Sequence, residues 1–201
     1  TLMLGRYGPD VVAAHNISMN INAVLFMPPM ALGMAATIRI GYRIGEGQPL
    51  EARSTAAIAI MSSLVLAIVG AALIYTLRDN MVLLYTSERV VVDLAAELLL
   101  FVVFFLIFDA TQSTAAGTLR GYKDTRVPMK IALFSFWVVG LPVGCGLGLG
   151  WFGEPLEVYG FWFGLSAGVG CASLLLCRRL FYLSKDLDLI ETSSPKTGTP
   201  T

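Results

Sequence analysis

VVDLAAELLLFVVFFLIFDATQSTAAG, residues 91–117, is an apolar run longer than the roughly 20 residues a helix needs to cross a bilayer. It predicts a membrane-spanning helix, and one residue tests that reading. Counted at 1.5 Å per residue, Asp109 lies about 27 Å from Val91 and about 12 Å from Gly117, well inside the hydrocarbon. A carboxylate at the centre of a span costs about 2.5–3.5 kcal/mol on insertion scales, so it is expected to face an interior and to carry a functional or paired role. Gln112 and Ser113, three and four residues on, share its face. Glu97 lies nearer the start of the span, and no Lys or Arg lies deep enough to serve as a fixed partner. The single charge of Asp109 can be neutralised by a proton, a sodium ion or an organic cation, but only by one at a time. Such mutual exclusion is the physical basis of exchange.

The rest of the 201-residue chain agrees with the membrane reading. Hydrophobic residues make up 56% and charged residues 14%, and the mean hydropathy is +0.72, above the usual soluble mix. Four further runs are long enough to span, at Val12 to Ile38, Thr55 to Leu77, Ile131 to Trp151 and Val158 to Leu176. TLML at 1–4 reads as the last turn of a sixth helix begun upstream, so the sequence is expected to be the C-terminal part of a longer, transporter-sized chain. Connections such as GYRIGEGQP (41–49) and LRGYKDTRVP (119–128) are short, which makes sequential helices antiparallel neighbours. LRDNMVLLYTSERVVVD (77–93) alternates in character and is expected to lie as an interfacial segment.

The formal net charge is zero, so nothing indicates a nucleic-acid partner, and charge placement carries the information. Arg39, Arg43, Arg53, Arg120, Lys123, Arg126, Lys130, Arg178, Arg179 and Lys185 cluster on one side of the predicted bundle, against Arg6, Arg78 and Arg89 on the other. The basic side is expected to be cytoplasmic, with Trp151, Tyr159 and Trp162 in an outer aromatic belt. ETSSPKTGTPT (191–201) lacks apolar residues and reads as a disordered cytoplasmic tail after a lobe at 1–190.

Pro28, Pro29 and Pro142 fall mid-span and should bend their helices. Asn16 and Asn20 share a face with Ala23 and Met27 and are expected to line a watery or protein interior; interhelical hydrogen bonding is the alternative. His15 alone cannot build a metal site. Cys145, Cys171 and Cys177 sit in apolar runs without metal-ligand spacing and read as packing residues. GLSAG (164–168) matches a nucleophile-elbow pattern, which would suit an intramembrane serine hydrolase. However, Gly160, Gly164, Gly168 and Ala172 recur every four residues as a helix-packing face, and Ser166 is off it.

VVAAHNISMN, MALGMAATIRIGYRIGEG, DATQSTAAGTLRGYKDTRVP, FWVVGLPVG and GFWFGLSAG, in that order, resemble the C-terminal lobe of the multidrug and toxic compound extrusion (MATE) family, in its NorM-like branch. The resemblance covers about residues 5–180. It implies an all-α integral membrane fold: a six-helix lobe, from late in the seventh helix to the twelfth, of a twelve-helix exporter in the bacterial inner membrane. It implies secondary active export of cationic, hydrophobic small molecules in antiport with H+ or Na+, without another cofactor, and an N-terminal lobe of the same full-length chain as partner. Asp109 matches the family's tenth-helix carboxylate for cation coupling and drug binding, where Na+ could bind. Asn16 and Asn20 match cavity-facing positions of the eighth helix. Phe105 stands where a cation-assisting Tyr is frequent, and Cys145 replaces another frequent Tyr; the seventh-helix Glu of the cation site would lie upstream. A lipid-linked oligosaccharide flippase of the wider superfamily is the alternative, but it should place Arg or Lys in its cavity to meet anionic phosphates.

Overall fold

The computed structural model describes residues 8–151 and 154–193, with side chains as far as residue 185; the stub at 1–4 lies outside the described residues. The elements are all helical: α1 (Pro9–Gly45), α2 (Pro49–Leu83), α3 (Arg89–Gly121), α4 (Arg126–Leu133), a π-helix (Phe134–Gly140), α5 (Leu141–Gly148) and α6 (Glu157–Ser193). The segment from α4 to α5 forms one span, and with α1, α2, α3 and α6 it makes five helices long and apolar enough to cross a membrane. Pro9 and Pro49 open α1 and α2 at a position whose N–H needs no partner within the helix.

These helices are longer than the apolar runs alone indicate. With 33 residues, α3 is about 50 Å long, so its ends project beyond a ~30 Å hydrocarbon core. The turns shrink to match. Residues 77–83, expected in an interfacial segment, continue α2 without a break, and only 84–88 separate it from α3. Alternating charge along LRDNMVLL marks a helix end emerging into the headgroups, not a separate element. α6 likewise runs to Ser193, which absorbs the first residues of the expected tail; 194–201 lie outside the described residues.

α3 is the centre of the lobe and packs against α1, α2 and α6. Close approach to α1 depends on small residues. A Cβ on Gly117 would overlap the carbonyl of Gly33, and one on Gly121 would come within 2.9 Å of both Ile40 and the Thr37 carbonyl. The Thr37 hydroxyl at this crossing lies 2.7 Å from the Gly117 carbonyl and 2.9 Å from that of Gly33. The expected glycine face on α6 is present and meets a matching one. Gly160, Gly164 and Gly168 press against the backbone of Gly148, Gly144 and Gly140, and Ala172 is fully buried. Small faces of this kind let helices gain dispersion contacts in lipid, where apolar burial alone drives no association.

The three prolines act differently. α1 stays helical through Pro28 and Pro29, with the Thr114 hydroxyl 3.4 Å from the Pro29 carbonyl. Ahead of Pro142, which has no N–H to give, the helix widens into the π-helical turns of Phe134–Gly140.

Polar clasps hold the two ends. At the basic end Arg43 meets Glu46 at 3.0 Å and Glu51 at 3.1 Å. Asp124 of the turn after α3 accepts from Arg179 of α6 at 2.7 Å and caps the Val127 N–H. At the opposite end Tyr85 donates to Asn20, and Tyr159 donates to Glu97 in a short hydrogen bond. Of the three residues expected in an aromatic belt, Trp162 is not there: it is 2% exposed, in the core.

Candidate functional site

Asp109 lies four residues beyond Phe105, the midpoint of α3, and so about 6 Å from the middle of that helix. Its neighbours along the helix define its direction. Leu106, Ala110 and Thr114 meet α2, where a Cβ on Gly70 would be 3.0 Å from Leu106 and the Ser63 hydroxyl reaches the Ala110 carbonyl. Ser113 and Gly117 meet α1 at Gly33, while Phe101 and Phe105 meet the rings of Phe163 and Trp162 on α6. At 100° per residue, Asp109 falls between the α1-facing and α6-facing rows. It is half-buried and makes no hydrogen bond or ion pair with any described residue.

The helices around it carry further unpaired polar atoms. His15 Nδ1 and Asn22 Oδ1 on α1, Gln112 Oε1 on α3 and Trp162 Nε1 on α6 are all buried without a partner among the described residues. Buried polar groups in folded proteins are normally satisfied, and those that protein atoms leave unpaired are met by water, an ion or a ligand. An unpaired carboxylate near mid-membrane, among helices that carry such groups, suits transient occupancy by a cation.

Hydroxyls hold this layer rigid. Thr114 lies 2.8 Å from Ser63 Oγ, and both are fully buried, tying α3 to α2 one turn from Asp109. About 21 Å further back along α3, Ser18 on α1 reaches the Ala95 carbonyl at 3.4 Å.

The expected site residues divide into three groups. Asp109 and Gln112 sit together on α3, and Ser113 lies beside them with its carbonyl against Gly33 of α1. Phe105 packs in the core of the described residues. It is 5% exposed, with its ring edge-on to Trp162 at 6.1 Å; Trp162 in turn packs edge-on against His15 at 5.6 Å. Asn16 and Asn20 are exposed, on the opposite side of α1 from Ala14, Ser18, Ile21 and Pro29, which it buries. Within this lobe they share no chamber with Asp109, because α1 itself stands between them. Asn22 was not singled out as a site residue by the sequence, although the same helical wheel that groups Asn16 with Asn20 turns Asn22 inward. Among the described residues no cluster of three or more His, Cys, Asp or Glu could hold a metal ion.

Ser166 lines an apolar groove of about 360 Å³ with Leu100, Phe101, Phe104 and Phe163. It has no hydrogen bond to a histidine or carboxylate among the described residues, and His15 is engaged with Trp162. Beside it, Gly164 and Gly168 press against α5 and the π-helix, as the four-residue spacing of small residues leads one to expect.

Comparison with known proteins agrees with this architecture. The MatE family model matches residues 1–145. The multidrug resistance protein PmpM of Pseudomonas aeruginosa is 44% identical over 180 residues, which cover 89% of this chain and 38% of that protein. The multidrug resistance protein NorM of Vibrio cholerae is 41% identical over 192 residues, 94% of this chain and 42% of that protein. The chain thus spans about two fifths of the length of these relatives. Among solved structures, the eukaryotic MATE transporter AtDTX14 superposes with a TM-score of 0.79 at 23% identity, over 87% of this chain and 40% of that one, a likeness of fold.

Proposed function

The chain belongs to the MatE family, and from that premise we propose that it forms the C-terminal lobe of a secondary active multidrug exporter that moves cationic, hydrophobic compounds outward in antiport with H+ or Na+. The observation that carries this reading is Asp109: half-buried near mid-membrane and without a partner among the described residues, on helices that bear unpaired buried polar atoms. A fixed structural carboxylate would have an arginine or a set of backbone donors. Among the described residues Asp109 has neither, which fits a charge answered by what comes and goes.

The proposed cycle follows from the cost of that charge. With a proton or sodium ion bound, the site is neutral and tolerates a dry, closed arrangement; without one, it needs water or a cationic ligand. Coupling ion and drug each favour a different arrangement of the lobes because each answers the charge in a different state. Gln112, three residues along the same helix, supplies an oxygen to the bound cation.

Asn16 and Asn20 face the other way, toward the N-terminal lobe, and in this proposal contact the drug across the cleft. α1 then forms one wall of the drug path, and bending at Pro28 and Pro29 opens the way from that path to Asp109 on its far side. The basic end is cytoplasmic in this scheme, with the C-terminus inside, and the whole lies in the bacterial inner membrane.

The test replaces Asp109 in the full-length protein. In cells stripped of their own efflux pumps, Asp109→Asn is expected to abolish resistance to cationic drugs at an unchanged level of membrane protein. Full resistance in that variant at equal protein level contradicts the proposal.

A further inference from the structure

A groove of about 240 Å³ runs between α1 and α2 in the half of the bundle nearer the basic end. Leu32, Ala35 and Arg39 line it from α1, and Ile58, Ala59 and Ser62 from α2, rows at helical spacing. The alanines leave the space that larger side chains would close. Ile58 continues along α2 into Met61, Val65 and Val69, all exposed, so the groove opens onto an apolar face suited to lipid.

Its charge is uneven. Arg43, one turn beyond Arg39, is held by Glu46 and Glu51 of the α1–α2 hairpin. Arg39 makes no hydrogen bond or ion pair with any described residue, and no carboxylate lines the groove. Depth matters as well. α1 spans Pro9–Gly45, so its midpoint is Met27 and Arg39 lies about 18 Å away, a few Å outside the ~15 Å half-thickness of the hydrocarbon. Leu32, about 8 Å from the midpoint, lies inside it. A cation at headgroup level thus caps an apolar slot that descends among acyl chains.

We propose that this groove binds an anionic phospholipid of the leaflet at the basic end, its phosphate on Arg39 and the first part of an acyl chain between α1 and α2. Basic residues between membrane helices on that side attract acidic headgroups, and the apolar slot adds the tail contact that a free anion lacks. The site is separate from Asp109 and does not depend on the exchange reaction.

Native mass spectrometry of the full-length protein, titrated separately with phosphatidylglycerol and phosphatidylcholine, tests it. Wild type is expected to prefer phosphatidylglycerol by about fivefold, the order that one basic contact gives near an anionic surface. Arg39→Gln should erase the preference and Arg39→Lys should keep most of it. Ala35→Phe, which fills the slot, should lower binding of both lipids. An undiminished preference in Arg39→Gln overturns the proposal. So does displacement by inorganic phosphate at equal concentration, which marks a bare anion site, and so does a wild type without preference, which marks a groove covered by another part of the chain.

Discussion

Gly164→Ala adds one methyl group and should be among the most damaging small substitutions in the lobe. A Cβ there would overlap the Gly144 backbone and come within 2.6 Å of the Gly140 carbonyl. All of these are main-chain atoms, so no side chain can swing aside. Carbon atoms are at their best separation near 3.5–4.0 Å, and a radial gap of 0.5–1 Å forfeits a quarter to a half of each contact. Relieving the overlap means parting α6 from α5 and the π-helix, which loosens the neighbouring contacts of Gly160 with Gly148 and of Gly168 with Gly140. Overpacking of this kind costs about 1–3 kcal/mol, and the backbone setting places Gly164→Ala at the upper end. Two other glycines provide the scale. At Gly148 the nearest atoms belong to the Phe161 ring, 2.7–3.0 Å from the new methyl. That ring can turn, so the cost should be smaller. At Gly170 the nearest atom is Phe108 Cγ at 4.0 Å, and Ala there should stabilise by up to about 1 kcal/mol through helix propensity alone. Denaturant unfolding of the purified full-length protein in detergent ranks the three. A Gly164→Ala protein as stable as Gly170→Ala would refute the close-contact geometry of α5 and α6.

Thr114→Val should cost about 0.6–1.7 kcal/mol, and a double-mutant cycle with Ser63→Ala should assign most of it to their hydrogen bond, as read from unfolding curves. Phe105→Ala should cost about 3–5 kcal/mol, measured the same way; a stable variant altered only in drug affinity would return Phe105 to a cavity wall. Asp124→Asn should cost about 1 kcal/mol, by breaking the pair between the largely buried Asp124 and the partly exposed Arg179, and high salt should shrink the difference between it and wild type.

The fold was legible because membrane spans are written in hydropathy: the five expected full spans recur among the described residues, four extended at both ends and the fourth shifted to Arg126–Gly148. Direction is written less plainly. Asn16 and Asn20 do share a face, as their spacing says, but which way that face points depends on the crossing of α1 over α3 at Gly33 and Gly117, a contact between residues about 80 apart in sequence. Trp162 looked interfacial because tryptophan favours interfaces; α6 buries it against His15 and Phe105. Residues 77–83 carry charges that end a span by composition without ending the helix. At the candidate site, the unusual depth of Asp109 was visible in the sequence alone. The inward turn of Asn22 and the Ser63–Thr114 brace were not, because each is a relation between helices that no local pattern encodes.

The most direct test of the central claim is drug transport by proteoliposomes of the full-length protein, with proton and sodium gradients imposed separately, for wild type and Asp109→Asn side by side. The account predicts that at least one gradient drives drug movement in the wild type, that collapsing it stops the movement, and that neither gradient drives movement in Asp109→Asn. Gradient-driven transport at the wild-type rate in Asp109→Asn would contradict it.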